Sequence, residues 1–193
     1  MNLRQLYLRN NACYQAGEAI EVKGIMVHIT AENNPNLRRY VGPDDGLLGH
    51  NQNNNHWNNL HPEGRENCFH ALIGKLADDS IASYQTLPWD MRGWHSGSAD
   101  GTHIGFAICK GEVEDSAYFD AVYKEAVAFC AYLCRRFNLD PLHEGVLIGN
   151  AEGHKEDVHS DGADTKHLFL RHGKSMDALR SDVNTLVNAE ATG

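Results

Sequence analysis

Apolar residues recur along the chain with two different periods. From Gly24 to Thr30 (GIMVHIT) Ile25, Val27 and Ile29 alternate with Met26 and His28, the period of two expected of a strand with opposed faces. Cys68 to Gly74 (CFHALIG) and His103 to Cys109 (HIGFAIC) read as strands too, and Val146 to Gly149 (VLIG) is a short buried run. From about Ala117 to Phe137 the spacing becomes three and four, with Val122, Ala126, Phe129, Cys130 and Leu133 on one helical stripe. Asp115 and Ser116 suit its start, and Arg135 and Arg136 suit the negative end of its dipole. A second stripe, Met176, Leu179, Val183 and Leu186, predicts a helix over about 175–188. Between these patterns His50 to Leu60 (HNQNNNHWNNL) is dominated by amide side chains. These compete for backbone hydrogen bonds and favour a loop or a ragged helix end. Strands interleaved with helices predict an α/β fold, one domain over residues 1–193 with a central mixed sheet flanked by helices.

Composition narrows the function classes. With 193 residues, 41% of them hydrophobic and 22% charged, the chain suits one packed domain and neither a disordered nor a fibrous protein. Lys and Arg total 17 against 26 Asp and Glu, a net charge of -9, so no basic face for nucleic acid is expected. No apolar run is long enough to span a bilayer and no leader is evident, so the expected place of synthesis is the cytoplasm. Five Cys without a C-x-x-C pair read as small buried hydrophobes in a reducing compartment. Twelve His are many for so acidic a chain, and they turn attention to metal chemistry.

Three groups of residues could carry that chemistry. His28 sits on an apolar strand just before the polar stretch Thr30 to Asn36, where a rigid element hands a side chain to a loop-lined cleft; a satisfied core histidine is the plainer reading. Trp94 and His95 lie in a Gly-containing loop (WHSGS), where Trp94 either offers a flat surface to a ligand or fills the core. Asn150 to His167 holds three His, three Asp and two Glu in eighteen residues, either a set of zinc-type ligands or a solvated loop. An anion held by so acidic a chain needs local donors such as Lys75, Arg92 or Lys110.

Several ordered segments together resemble the zinc-dependent N-acetylmuramoyl-L-alanine amidases of the phage-lysozyme and peptidoglycan-recognition type, most of all Firmicutes phage or prophage endolysins. They are GIMVHITAENNPN, RYVGPDDGLLGHNQNNNHWN, HALIGKLADDSIASYQTLPWDMRGWHSGS, THIGFAIC, YFDAVYKEAVAFCAYLC and HLFLRHGKSMDALRSDV, spread over nearly the whole chain.

The resemblance implies a zinc site whose first ligand falls on His28 and whose third falls on Asp164, with the second at Asn150, where the family has His. It implies a substrate-facing loop at Trp94 and His95, with Thr30 and Asn34 also placed at the substrate. At three further family positions the functional group is missing: Ala107 stands for Glu, Gly162 for Lys or His, and Phe69 for Tyr. The expectation is therefore a degenerate amidase-like domain that binds a muropeptide or another small ligand with little or no hydrolysis. The alternative is an active zinc endolysin that cleaves the MurNAc-L-Ala amide with a rearranged site drawing on His154 or His159. Zinc is the expected cofactor if the site is intact and none is expected otherwise. Partners are a peptidoglycan fragment or small ligand, with the cell wall reached by holin-type release.

Overall fold

The computed structural model describes residues 1–150 and 165–191. Six strands, β1 (Leu3–Gln5), β2 (Gly24–Asn33), β3 (Ala71–Lys75), β4 (Ile81–Gln85), β5 (His103–Lys110) and β6 (Leu147–Gly149), form one sheet in the order β1-β4-β3-β5-β2-β6. Only β3 and β4 run antiparallel, joined through the turn around Asp78 and Asp79; the other pairings are parallel. The helices are α1 (Ala12–Ala16), α2 (Ser116–Phe137), α3 (Thr165–Arg171) and α4 (Met176–Ala191). The mixed sheet with flanking helices is the architecture expected from the pattern.

Alternation along the central strands feeds two cores. Ile25, Val27, Ile29, Ile104, Phe106 and Ile108 face α2 and α4 and join Phe129, Cys130, Leu179 and Val183. The opposite face carries Leu72, Tyr84, Ala107 and Cys109 and is covered by Leu37, Tyr40, Val41, Leu48 and Trp57, from loops and short turns. His50 to Leu60 thus forms a loop, as its amides predict, yet it delivers Trp57 into this second core.

The ends of the elements have local causes. Helix α2 starts where the Asp115 carboxylate accepts the Tyr118 N–H, and it stops at Asn138, whose left-handed φ of 53° lets its own N–H reach the Cys134 carbonyl. β2 runs three residues beyond the predicted Thr30. Its register with β5 breaks after Ile29 and resumes at Asn33 opposite Lys110, and the Thr30 hydroxyl bridges the gap by accepting the Lys110 N–H at 2.8 Å. β3 begins at Ala71 rather than Cys68, because Cys68 leaves the ladder to pair with Trp94. β1, β4, α1 and α3 are short elements without a period of their own. Buried Glu125 of α2 holds the β1 edge, accepting from the Asn2 N–H at 2.8 Å and from the Ser83 hydroxyl of β4 at 2.9 Å. All five Cys are buried free thiols, and Cys130 and Cys134 share one face of α2.

Phe129 is the point where α2 meets the sheet, its ring 5.1 Å from that of Phe106 and 5.8 Å from that of Trp89. Phe129→Ala should cost about 3–5 kcal/mol of unfolding free energy. Urea titration followed by circular dichroism checks this, with the native far-ultraviolet spectrum retained at zero urea.

Candidate functional site

His28 lies halfway along β2 on the face away from α2, opposite Ala107 of β5. Its side chain is almost wholly buried, and its Nε2 lies 3.1 Å from Nδ1 of His95. The His95 Nε2 in turn lies 3.2 Å from the His103 carbonyl oxygen. A carbonyl only accepts, so His95 carries its hydrogen on Nε2, and its Nδ1 accepts the Nε2–H of His28 in the neutral pair. That places the His28 lone pair on Nδ1, the nitrogen by which it would hold a cation.

The His95 ring occupies the space that a side chain at position 105 would take. A Cβ on Gly105 would lie 2.4 Å from the His95 Cγ, so only glycine in β5 leaves room for the ring. Asp100 fixes the loop that carries His95, its Oδ1 accepting N–H groups of His95 at 2.9 Å and Ser96 at 2.8 Å. Burial raises the pKa of Asp100, but these donors and the nearby His95 outweigh it and hold the carboxyl below its ordinary range. His70 completes the set. Its Nδ1 accepts the Gly105 N–H at 3.0 Å and its Nε2 donates to the Met91 carbonyl at 2.7 Å, so the ring is neutral with both nitrogens used. Burial, and then the neighbouring His95, push its pKa down to about 3. Sequence reasoning passed over His70 because its strand pattern reads as plain alternation; a polar residue between Phe69 and Ala71 was the only signal.

Aromatic rings wall one side. Phe69 stands edge-on to His28 with centroids 4.9 Å apart, stacks on Trp57 at 5.7 Å, and Trp57 meets Tyr40 at 5.0 Å. On the other side of β2, Val27 pairs with Gly149 of β6, which brings Asn150 to the level of His28. The Asn150 Oδ1 accepts both the Thr165 N–H at 3.2 Å and the Thr165 hydroxyl at 3.1 Å, at the start of α3.

The structure distributes the other candidates unevenly. His95 is not at the surface of its loop: its side chain is fully buried behind His28. Trp94 is half-buried against the Cys13, Cys68 and Leu87 cluster and also lines a pocket of about 440 Å3 with Arg92, Ser96 and Asn67. Thr30 is spent within the fold, its hydroxyl meeting the Tyr40 hydroxyl and the Lys110 N–H. The Asn34 carboxamide oxygen accepts the Asn36 N–H, and Asn34 lines a separate pocket beyond the end of β2. Lys75 and Arg92 are paired with Asp79 and Glu18. Gly162, Asp164, His154 and His159 lie outside the described residues.

These positions decide how the described residues fit a zinc ion. Zinc takes imidazole, thiolate or carboxylate, and a catalytic site needs three such ligands and an open place. Among the described residues no three His, Cys, Asp or Glu side chains converge on a point. His28 fits. Asn150 does not, because its carboxamide oxygen already takes two hydrogen bonds and its nitrogen has no lone pair to give.

A model of the N-acetylmuramoyl-L-alanine amidase family matches residues 18–167, most of the chain and all of the elements around His28. The chain belongs to that amidase family. Among solved structures, the catalytic domain of XlyA is similar at 18% identity with a TM-score of 0.63, covering 95% of this chain and 99% of that one. The catalytic domain of PlyG is similar at 15% identity and a TM-score of 0.64, over 97% of this chain and 96% of that one. The Staphylococcus aureus hydrolase AmiA, solved with its ligand, gives 18% identity and a TM-score of 0.62, over 99% of this chain and 84% of that one. At such identities the likeness is one of fold. No curated protein sequence matches the chain. No helix among the described residues of this amidase-family domain is long and apolar enough to cross a membrane.

The buried neutral His70 makes the cluster sensitive to acid. Its pKa in the fold is depressed from 6.5 to about 3, so its contribution to stability is complete above pH 6.5 and is lost as the pH falls toward 3. The urea midpoint should therefore drop between pH 7 and pH 4, and the drop should be shallower in His70→Ala, whose starting stability at pH 7 is lower.

Proposed function

We propose that this amidase-family domain keeps a peptidoglycan-binding cleft and hydrolyses what it binds little or not at all. The observation that carries the reading is the pair of neighbours beside His28. On one side the Asn150 carboxamide oxygen is committed to Thr165, and on the other the place opposite His28 holds the methyl group of Ala107.

The chemistry of amide hydrolysis explains why these two positions matter. A zinc-bound water needs three protein ligands on the metal to be held and acidified, and Asn150 supplies an amide already used by the fold. A general base must then take the water proton, and a methyl group has none to offer. Gly162 leaves out a third group, since loss of an oxyanion donor raises the barrier by roughly 2.7–4 kcal/mol. Losses within one catalytic unit do not add, so loss of the metal ligand alone removes most of the rate. What persists beside His28 is the half-buried ring of Phe69, backed by the core rings of Trp57 and Tyr40, and the loop of Trp94 pinned by Asp100. The ligand is a muropeptide or a longer peptidoglycan strand, met at the cell wall after release from the cytoplasm through a lysis pore.

Dialysis against zinc followed by metal analysis, together with assay of stem-peptide release from purified peptidoglycan, tests this directly. The native chain should retain well under one equivalent of zinc, release no peptide and still sediment with insoluble peptidoglycan. The triple variant Asn150→His, Ala107→Glu, Gly162→His should gain both zinc and chelator-sensitive release. One equivalent of zinc with release by the native chain would establish the active enzyme, with a site rebuilt from His28, Asp164 and His154 or His159.

A further inference from the structure

Two of the five thiols lie outside both large cores, and they meet. Cys13 of α1 and Cys68, the residue that leaves the ladder ahead of β3, are buried together with Leu87 in a small cluster edged by Tyr14, Met91 and Trp94. The Cys13 thiol donates to the Arg92 carbonyl at 3.2 Å, and the Cys68 thiol hydrogen-bonds to the Cys13 sulfur. Partners that involve no sulfur hold the two residues there. Asn11 accepts the Cys13 N–H at 3.0 Å on its side-chain oxygen, and its Nδ2 donates at 3.0 Å to the carbonyl of Asn67, next to Cys68. Cys68 exchanges two hydrogen bonds with Trp94, its N–H donating at 3.0 Å and its carbonyl accepting at 3.1 Å. Joining the two sulfurs leaves these bonds in place and removes only those that the thiols themselves make.

The other thiols show what sets this pair apart. Cys109 belongs to the core beneath the loops, and Cys130 and Cys134 belong to the core beneath α2. Reaching any of them means opening one face of the sheet. Cys13 sits instead on a five-residue helix, with residues 15–19 exposed at and beyond its end, so a local opening of α1 brings its thiol to solvent. The hydrogen bond to Cys13, and then burial, push the Cys68 thiol well up. Cys68 therefore keeps its proton while Cys13 reacts, and it stays beside the sulfur that it later attacks.

We propose that Cys13 and Cys68 are a covalent modification site, a thiol pair that a small-molecule disulfide converts to a disulfide stitching α1 to the chain behind the Trp94 loop. Cys13 loses its proton and its sulfur attacks the reagent, so that a bond forms between Cys13 and one half while the other half leaves as a thiolate. Cys68 then loses its proton and attacks the Cys13 sulfur, and the second half leaves. Two electrons pass from the cysteines to the reagent, and the two protons end on the two small thiols released. The link closes a loop of about 55 residues that contains β2 and the amide-rich loop, and it stabilises the fold chiefly by restricting the unfolded chain. Through the paired main chains of Cys68 and Trp94 it also fixes the base of the loop that carries His95.

The full chain, incubated at mildly alkaline pH with oxidised glutathione and in parallel with reduced glutathione, tests this. Non-reducing peptide mass mapping of the oxidised sample should find the Cys13 and Cys68 peptides joined and two hydrogens lighter, with Cys109, Cys130 and Cys134 alkylated once the chain is unfolded. The joined form should melt roughly 5–10 °C above the reduced form by circular dichroism. Cys13→Ser and Cys68→Ala should each melt at one temperature in both buffers. Three results would each overturn the proposal: peptides left unjoined in the native chain while the urea-unfolded chain oxidises, a link mapped to other cysteines, or a joined form that melts no higher than the reduced one. If either variant fails to fold, the map and the two melting temperatures of the native chain decide alone.

Discussion

Parallel pairing of β2 with β5 sets Met26 beside Gly105 and His28 beside Ala107, and nearly every feature of the site follows from that register. Gly105 opens the space that the His95 ring fills, His95 fixes the tautomer of His28, and Gly105 also donates its N–H to His70. One residue of slip would turn His28 into the helical core and present Ile29 to the cleft. Burial of both sheet faces makes that slip prohibitive, since two separate apolar cores would each receive the wrong side chains. The site is therefore as rigid as the sheet, and its chemistry can change by substitution while its shape persists.

On the proposed function, that persistence is what lets an amidase frame keep its shape with Ala107 and Asn150 at these two positions. Ala107 is compatible with the ladder and with the second core, which it joins beside Leu72 and Cys109. Asn150 finds a structural occupation at the start of α3, accepting the orphan N–H of Thr165 where a helix end needs a partner. Both residues are at ease in the fold, so neither one exerts pressure on the rings beside His28 or on the loop of Trp94 and Asp100.

Elements with a sustained period were legible in the sequence, and those held only by distant partners were not. The stripe from Val122 to Leu133 and the alternation of Ile25, Val27 and Ile29 predicted α2 and β2, because burial of a continuous face imposes the period. β1 and the edge it occupies depend on Glu125, more than a hundred residues away, and no local signal reports such a tie. His28 stood out from its place on an apolar strand just before a polar stretch, and the family resemblance then put it at a ligand position. The role of His95 did not show, since spacing along a loop cannot tell a ring that faces a ligand from one that supports another ring. The run of amides near His50 was recognised as a loop, while its closure around Arg39 required the three-dimensional pairing of Arg39 with Glu32 and Glu63.

Burial also decides what the cysteines can do. Cys109, Cys130 and Cys134 lie deep in the two cores, and burial pushes their thiols upward, Cys134 to about 11. At neutral pH they are protonated, and the thiolate is the species that attacks oxidants and disulfides. In the fold these three thiols are therefore inert packing atoms, unreactive toward oxidants and disulfides for as long as the two cores stay closed.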